Sequence, residues 1–275
     1  PEDFVVTKDV SFLQGSEMAE MMVAGEGPDM LELLPQGDLA TVRFRMPGDM
    51  AYGITRAFTE VFVSGVSEDD IRFWASMASN GGVSIFQDQP FHMVAAYELQ
   101  GDVSLEDISE KYSEYMDMFM GTFSGIPEAE DMFSISNNGI VEIDGIQYFS
   151  MSMDMDVDTL SSVDFDYWIT VHQGVMMLEM AETPVYIPGV VSGDYTPASI
   201  TGTGDMAGEM SLAGYLSMIM AFAPGGEDLP EIGSDVIIRW NGGYENGSMR
   251  MEMVMNGRDA LATGFSFFGL LSATM

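Results

Sequence analysis

Residues 139–181, "GIVEIDGIQYFSMSMDMDVDTLSSVDFDYWITVHQGVMMLEMA", decide the fold class. Side chains along an extended chain point alternately to opposite faces. Phe149, Met151, Met153, Met155 and Val157 therefore share one face, and Asp154, Asp156 and Asp158 share the other. Asp144-Gly145 and Gln173-Gly174 supply the residue types that two-residue hairpin turns demand. Asn138-Gly139 gives a third turn signal just upstream, after "MFSIS". The stretch predicts a meander of antiparallel strands.

Outward from it, the spacing of apolar residues changes to the helical period. "DMAYGITRAFTEVFVSG" (49–65) and "SEDDIRFWASMAS" (67–79) read as helices, the second with Ser67 as N-cap and acids in its first turn. A long amphipathic helix runs from about Ser104 to Phe123. "DFVVTKDVSFL" (3–13), "LATVRFRM", "GVSIFQ" and "FHMVAAYEL" (91–99) read as strands, and "SEMAEMMVA" (16–24) as a short helix. Past the meander come a Pro/Gly-rich connection (183–205), a helix over 207–223 and a last hairpin, "SDVIIRWNGGYENGSMRMEMVM".

The expected class is α+β: antiparallel β-meander sheets packed against Met-rich amphipathic helices, as one body or as two related lobes. The second possibility rests on Tyr115, Met118 and Met120, which match Tyr215, Met218 and Met220 on the later helix. The division that follows is a first lobe over 1–182 with a repeat-like core at 31–182, the connection at 183–205, and a smaller helix-hairpin unit over 206–275.

Composition sets the environment. With 44 acidic against 9 basic residues the formal net charge is −35. Nucleic acid and anionic lipid are poor partners for such a surface, because both are held by clustered Lys and Arg. Apolar residues make up 47%, enough to build a core, so the charge does not imply disorder. The chain has no cysteine, which removes disulfides, thiolate metal sites and cysteine nucleophiles. No stretch reaches the length of a transmembrane helix. Pro1 without an initiator Met points to processing or excision from a longer chain.

Two methionine ladders invite functional readings. Met151, Met153 and Met155, and again Met249, Met251, Met253 and Met255, form continuous thioether stripes. Core packing against helices is the first account. The others are an apolar small-ligand site lined by Met151, Met153, Met155, Met249, Met251 and Met253, or a soft Cu(I) site. On the opposite face, Asp156, Asp158 and Asp164 are the candidate calcium ligands. The run fails the EF-hand pattern, with Thr159 where Gly is wanted and Phe165 where Glu is wanted.

Catalytic signatures are missing. Neither Lys8 nor Lys111 sits in a phosphate loop, "GTGDMAG" (202–208) has the wrong spacing for a dinucleotide fingerprint, and no Gly-x-Ser-x-Gly elbow occurs. His92 and His172 read as lone strand histidines, and no cofactor is expected. Asn246-Gly247 is better explained as a hairpin turn than as a glycosylation site. The nearly uncharged end, "ALATGFSFFGLLSATM" (260–275), offers Phe265, Phe267, Phe268, Leu270 and Leu271 either to the core or to a partner.

The order of "LLPQGD", a strand, two helices through "SEDDIRFWASMASNGG", a strand pair, a long helix, "IDGIQYFSM" and the "YWITVHQGVMML" hairpin resembles uncharacterised repeat families of secreted or lipid-anchored bacterial envelope proteins. The resemblance covers residues 30–182. It implies an extracytoplasmic location and a duplicated α+β module with no catalytic residues to carry over. The expectation is a structural or interaction module of a cell-surface assembly, with protein partners or copies of itself. A carrier of an apolar ligand and a metal-binding protein are the alternatives.

Overall fold

In chain order the elements are strand β1 (Phe4–Ser11), a 3-10 turn (Met30–Leu33), β2 (Ala40–Arg45), helices α1 (Gly48–Phe62) and α2 (Glu68–Ser79), β3 (Asn80–Phe86), β4 (His92–Glu98) and helix α3 (Leu105–Phe123). There follow β5 (Phe133–Ile143), β6 (Ile146–Val157), β7 (Ser161–His172), β8 (Val175–Met180), helix α4 (Tyr186–Ser192), β9 (Met206–Ser211), β10 (Ile237–Glu245) and β11 (Ser248–Asn256). The structure, a computed structural model, describes residues 3–11, 14–16, 26–62, 66–86, 92–123, 133–157, 161–214, 236–245 and 248–256. All eleven strands join one antiparallel sheet in the order β1-β11-β10-β9-β2-β3-β4-β8-β7-β6-β5. The fold is α+β and mostly sheet.

The meander forms where the alternation placed it. Asp144 and Gly145 turn at φ 52° and 80°, and Gln173 and Gly174 at 52° and 76°. Positive φ at both central residues is the primed turn whose twist matches that of paired strands. Asn138-Gly139 behaves differently. The expected turn there is instead a shift of register between Asn137 and Gly139 inside the continuous strand β5. Gly139, at φ 74°, donates its N–H to Asn137 Oδ1, so the same residue types build a bulge.

Two further expectations change. Residues 206–211 form β9, not the start of a helix. The helical turn begins only at 212, and 215–235 lie outside the described residues. Met, Ala and Glu favour helix, but β9 has β2 on one side and β10 on the other, so pairing on both edges overrides propensity. The connection at 183–205 contains α4. Because β2 pairs with β9, the sheet runs unbroken between residues on either side of that connection. The helix expected over 16–24 lies outside the described residues, apart from Ser16.

Both faces of the sheet's β3-to-β6 half are covered. On one, Phe149, Met151, Ile169, Met176 and Leu178 pack with Met77 of α2 and with Leu105 and Ile108 of α3. On the other, Val94, Ala96, Tyr148, Val175 and Met177 pack beneath Met30, Leu31 and Leu34 and beneath Ile187 and Val190 of α4. Caps fix the two long covering helices. Ser67 Oγ accepts from the Asp70 N–H, and at α3 the Ser104 and Asp107 side chains each accept the other's backbone N–H. A Lys111 ammonium 2.5 Å from Asp70 ties α3 to α2.

Candidate functional site

Polar chemistry concentrates at three places, all on the face of the sheet opposite α2 and α3. The deepest is Glu179 of β8, a residue with no solvent exposure in the otherwise apolar strand "VMMLEM". Its Oε1 lies 2.8 Å from His92 Nε2 on the neighbouring strand β4 and accepts the Val185 and Tyr186 N–H groups at 2.8 and 3.0 Å. Its Oε2 accepts from Ile187 at 3.0 Å. These N–H groups belong to the first turn of α4, where the helix itself supplies no acceptor, and the next residue, Pro188, has no N–H. Glu179 thus caps a helix from the sheet beneath it.

Aromatic rings close the centre. Phe86 and Tyr186 stack with centroids 4.3 Å apart, and both rings flank His92. Tyr148 lies nearby with its phenol buried. Burial first, then the negative charges of Glu179 and Asp144, push that phenol up to about 12. A buried carboxylate with this many donors is a structural clamp: every lone-pair direction it needs is met by a fixed group.

The second place is Arg43 of β2, which is 5% exposed. Nη1 donates to Asp29 at 2.6 Å, and Nη2 donates to the carbonyls of Gly202 and Gly204 at 3.1 and 2.8 Å. One guanidinium therefore holds two separate loops onto the sheet. Asn80 continues the seam, its Nδ2 bonded to the Pro28 carbonyl and to Glu98 Oε2.

The third place is open. Register and alternation put Val5, Thr7 and Asp9 of β1, Arg250 and Glu252 of β11, and Asn241 of β10 on one face. Among the described residues no element covers them: Val5 is 52% exposed, and Asp9 and Arg250, 3.7 Å apart, are 67% and 70% exposed. Between these strands and the 203–204 loop lies a groove of about 800 Å³, lined by Asp9, Ser11, Arg250, Glu252, Asn241 and Thr203 among others. β1 is the last strand, and among the described residues its outer edge pairs with nothing. It carries neither Pro nor Gly, and its eight residues pair with β11 without a break.

Charge divides the same way. Strands β1, β11, β10, β9 and β2 hold five basic residues (Lys8, Arg43, Arg45, Arg239, Arg250) and four acidic ones (Asp9, Glu209, Glu245, Glu252). The other six strands hold seven acidic residues and no Lys or Arg. In a chain of net charge −35, the strand residues of one half of the sheet are close to balanced in charge.

The sequence-based candidates fall as follows. Met151 is 2% exposed within the core under α3, and Met153 on the same face is half-buried. Met249, Met251 and Met253 are half-buried on the face opposite the groove's acids, and Met255 is buried beside Ile238 and Leu212. The side chains of Met155, Asp156 and Asp164, and all of Asp158, lie outside the described residues, as do Phe265, Phe267, Phe268, Leu270 and Leu271. His172 lines a second groove of about 520 Å³ beside the start of α3. Among the described residues no three His, Asp or Glu side chains stand close enough to hold a metal ion, and no helix is long and apolar enough to cross a membrane.

Sequence reasoning missed Glu179, whose signal was available: a lone acid inside a strand buried on both faces must find partners. The open half was missed because it depends on which strands become neighbours. Comparison with protein families, characterised proteins and solved structures finds no match for this chain.

Proposed function

We propose that this protein is a non-enzymatic structural or interaction module that assembles with copies of itself in an extracytoplasmic, surface-associated complex. The observation that supports it is the β1–β11–β10 end of the sheet, where Val5, Thr7, Asp9, Arg250 and Glu252 are solvent-exposed beside a strand edge that pairs with nothing among the described residues. Exposed edges of this kind are templates for pairing, and most proteins blunt them. The local charge balance supports the same end, since contact between copies is least opposed where like charge is least concentrated. The location rests on the sequence resemblance alone. Sedimentation velocity over a concentration series tests assembly. Mass should rise with concentration, and rise further with salt as the remaining acids are screened. A monomer at every concentration and salt refutes it.

A second reading is a carrier for an apolar ligand, favoured by the half-buried Met249, Met251 and Met253. Saturable binding of a fluorescent fatty-acid probe, weakened when these three are changed to Ser, would support it. A lack of binding would remove it.

A further inference from the structure

We infer that self-association occurs by antiparallel pairing of β1 with β1 of a second copy about a two-fold axis at Thr7, joining two eleven-stranded sheets into one. This rests on the assembly reading and adds the contact and its register. The two ends of the sheet are not equivalent. At the β5 edge the ladder is interrupted by the bulge at Asn137–Gly139, and Asn137 Nδ2 is bonded to Ser113 of α3. Such a bulge terminates pairing. At the β1 edge eight residues pair regularly with β11, and their outward N–H and C=O groups make no bond among the described residues.

The occupant follows from charge and symmetry. A two-fold contact sets each surface against itself, so the strongly acidic β5–β6 end repels its copy, whereas the β1 end presents Lys8 and Arg250 alongside Asp9 and Glu252. Directly opposed residues of antiparallel strands share a face, which permits only registers centred on one residue. Centring on Lys8 opposes two ammonium groups, and centring on Asp9 opposes two carboxylates. Centring on Thr7 opposes two hydroxyls, with Val5 facing Asp9 and Val6 facing Lys8 of the other copy, and no like charges are directly opposed. Threonine pairs are favourable cross-strand partners.

The absence of native cysteine makes the test clean. Single variants Thr7→Cys, Val5→Cys and Ile140→Cys, all at exposed positions, are oxidised mildly and run on non-reducing gels, with circular dichroism confirming the fold. Two cysteines at position 7 sit directly across the axis, within disulfide reach. At position 5 they are four residues out of register, far beyond the roughly 7 Å Cα limit, so Thr7→Cys should cross-link at least about tenfold faster and stop at dimer. Equal cross-linking at position 5, or cross-linking at Ile140 on the β5 edge, overturns the register. A native protein that sediments as a dimer while Thr7→Cys stays uncross-linked overturns the contact but leaves assembly standing. A native protein that is always monomeric overturns both.

Discussion

Glu179 and His92 meet at 2.8 Å beneath the first turn of α4, so one strand carboxylate binds its neighbouring strand and caps a helix that begins seven residues later. Glu179→Gln keeps the shape but sets an amide NH₂ among N–H donors. The expected loss is about 3–5 kcal/mol, the cost of breaking a buried charged network. His92→Gln should lose less, about 1–3 kcal/mol, because three backbone donors still satisfy the carboxylate. Urea unfolding of both variants measures the order, and a His92 effect equal to or larger than the Glu179 effect would contradict it.

The tie between Lys111 and Asp70 carries a pH signature. Burial raises the Asp70 carboxyl, but hydrogen bonds from Lys111 and Ser67 outweigh it and leave it below its ordinary value of 3.8. Its contribution is complete above 3.8 and is lost as pH falls through the lowered folded value. For Lys111 the hydrogen bond to Asp70 raises the ammonium's pKa against the opposing effect of burial, so its share is present below the ordinary lysine value and lost as pH rises through the raised one. The pair is partly solvent-screened, so Lys111→Met should cost about 0.5–1 kcal/mol at neutral pH. In unfolding titrations its difference from the native protein should shrink as pH falls below 3.8.

Gly53 and Gly204 should respond oppositely to alanine. A Cβ on Gly53, exposed in mid-α1, meets nothing within 4 Å, so Gly53→Ala should stabilise by about 0.5–1 kcal/mol through helix propensity. A Cβ on Gly204 would lie 2.1 Å from the Gly242 carbonyl oxygen. Backbone cannot yield as a side chain can, so Gly204→Ala should lift the loop that Arg43 holds and cost about 2 kcal/mol or more. Thermal unfolding of the two variants gives the signs.

How much of this was legible depends on the range of the interaction. The meander at 139–181 was readable because alternation and the Asp144-Gly145 and Gln173-Gly174 turns are local signals. The capped starts of α2 and α3 were readable for the same reason, from Ser67 and Ser104. Helix α4 was not, since Pro188 and Gly189 argue against a helix and its cap comes from Glu179 on a neighbouring strand. β9 was misread because its residues favour helix until β2 and β10 claim both edges. Asn138-Gly139 shows the ambiguity of turn chemistry, which suits a bulge as well as a hairpin. The open face needed the order of all eleven strands, and no local pattern carries that.

The methionine ladders should separate by burial. Met151→Ala, in the core under α3, should cost about 2–5 kcal/mol, and the same change at half-buried Met249 appreciably less. Equal costs in denaturant unfolding would mean that the two stripes are packed alike.

The most direct test of assembly through the β1 edge is hydrogen–deuterium exchange of the native protein at low and high concentration. Outward amides of residues 4–11 should exchange freely in the dilute protein and gain protection as concentration rises, while residues 133–143 at the β5 edge stay unchanged. Outward amides of 4–11 whose exchange does not change with concentration, in a protein whose mass does, would contradict the account.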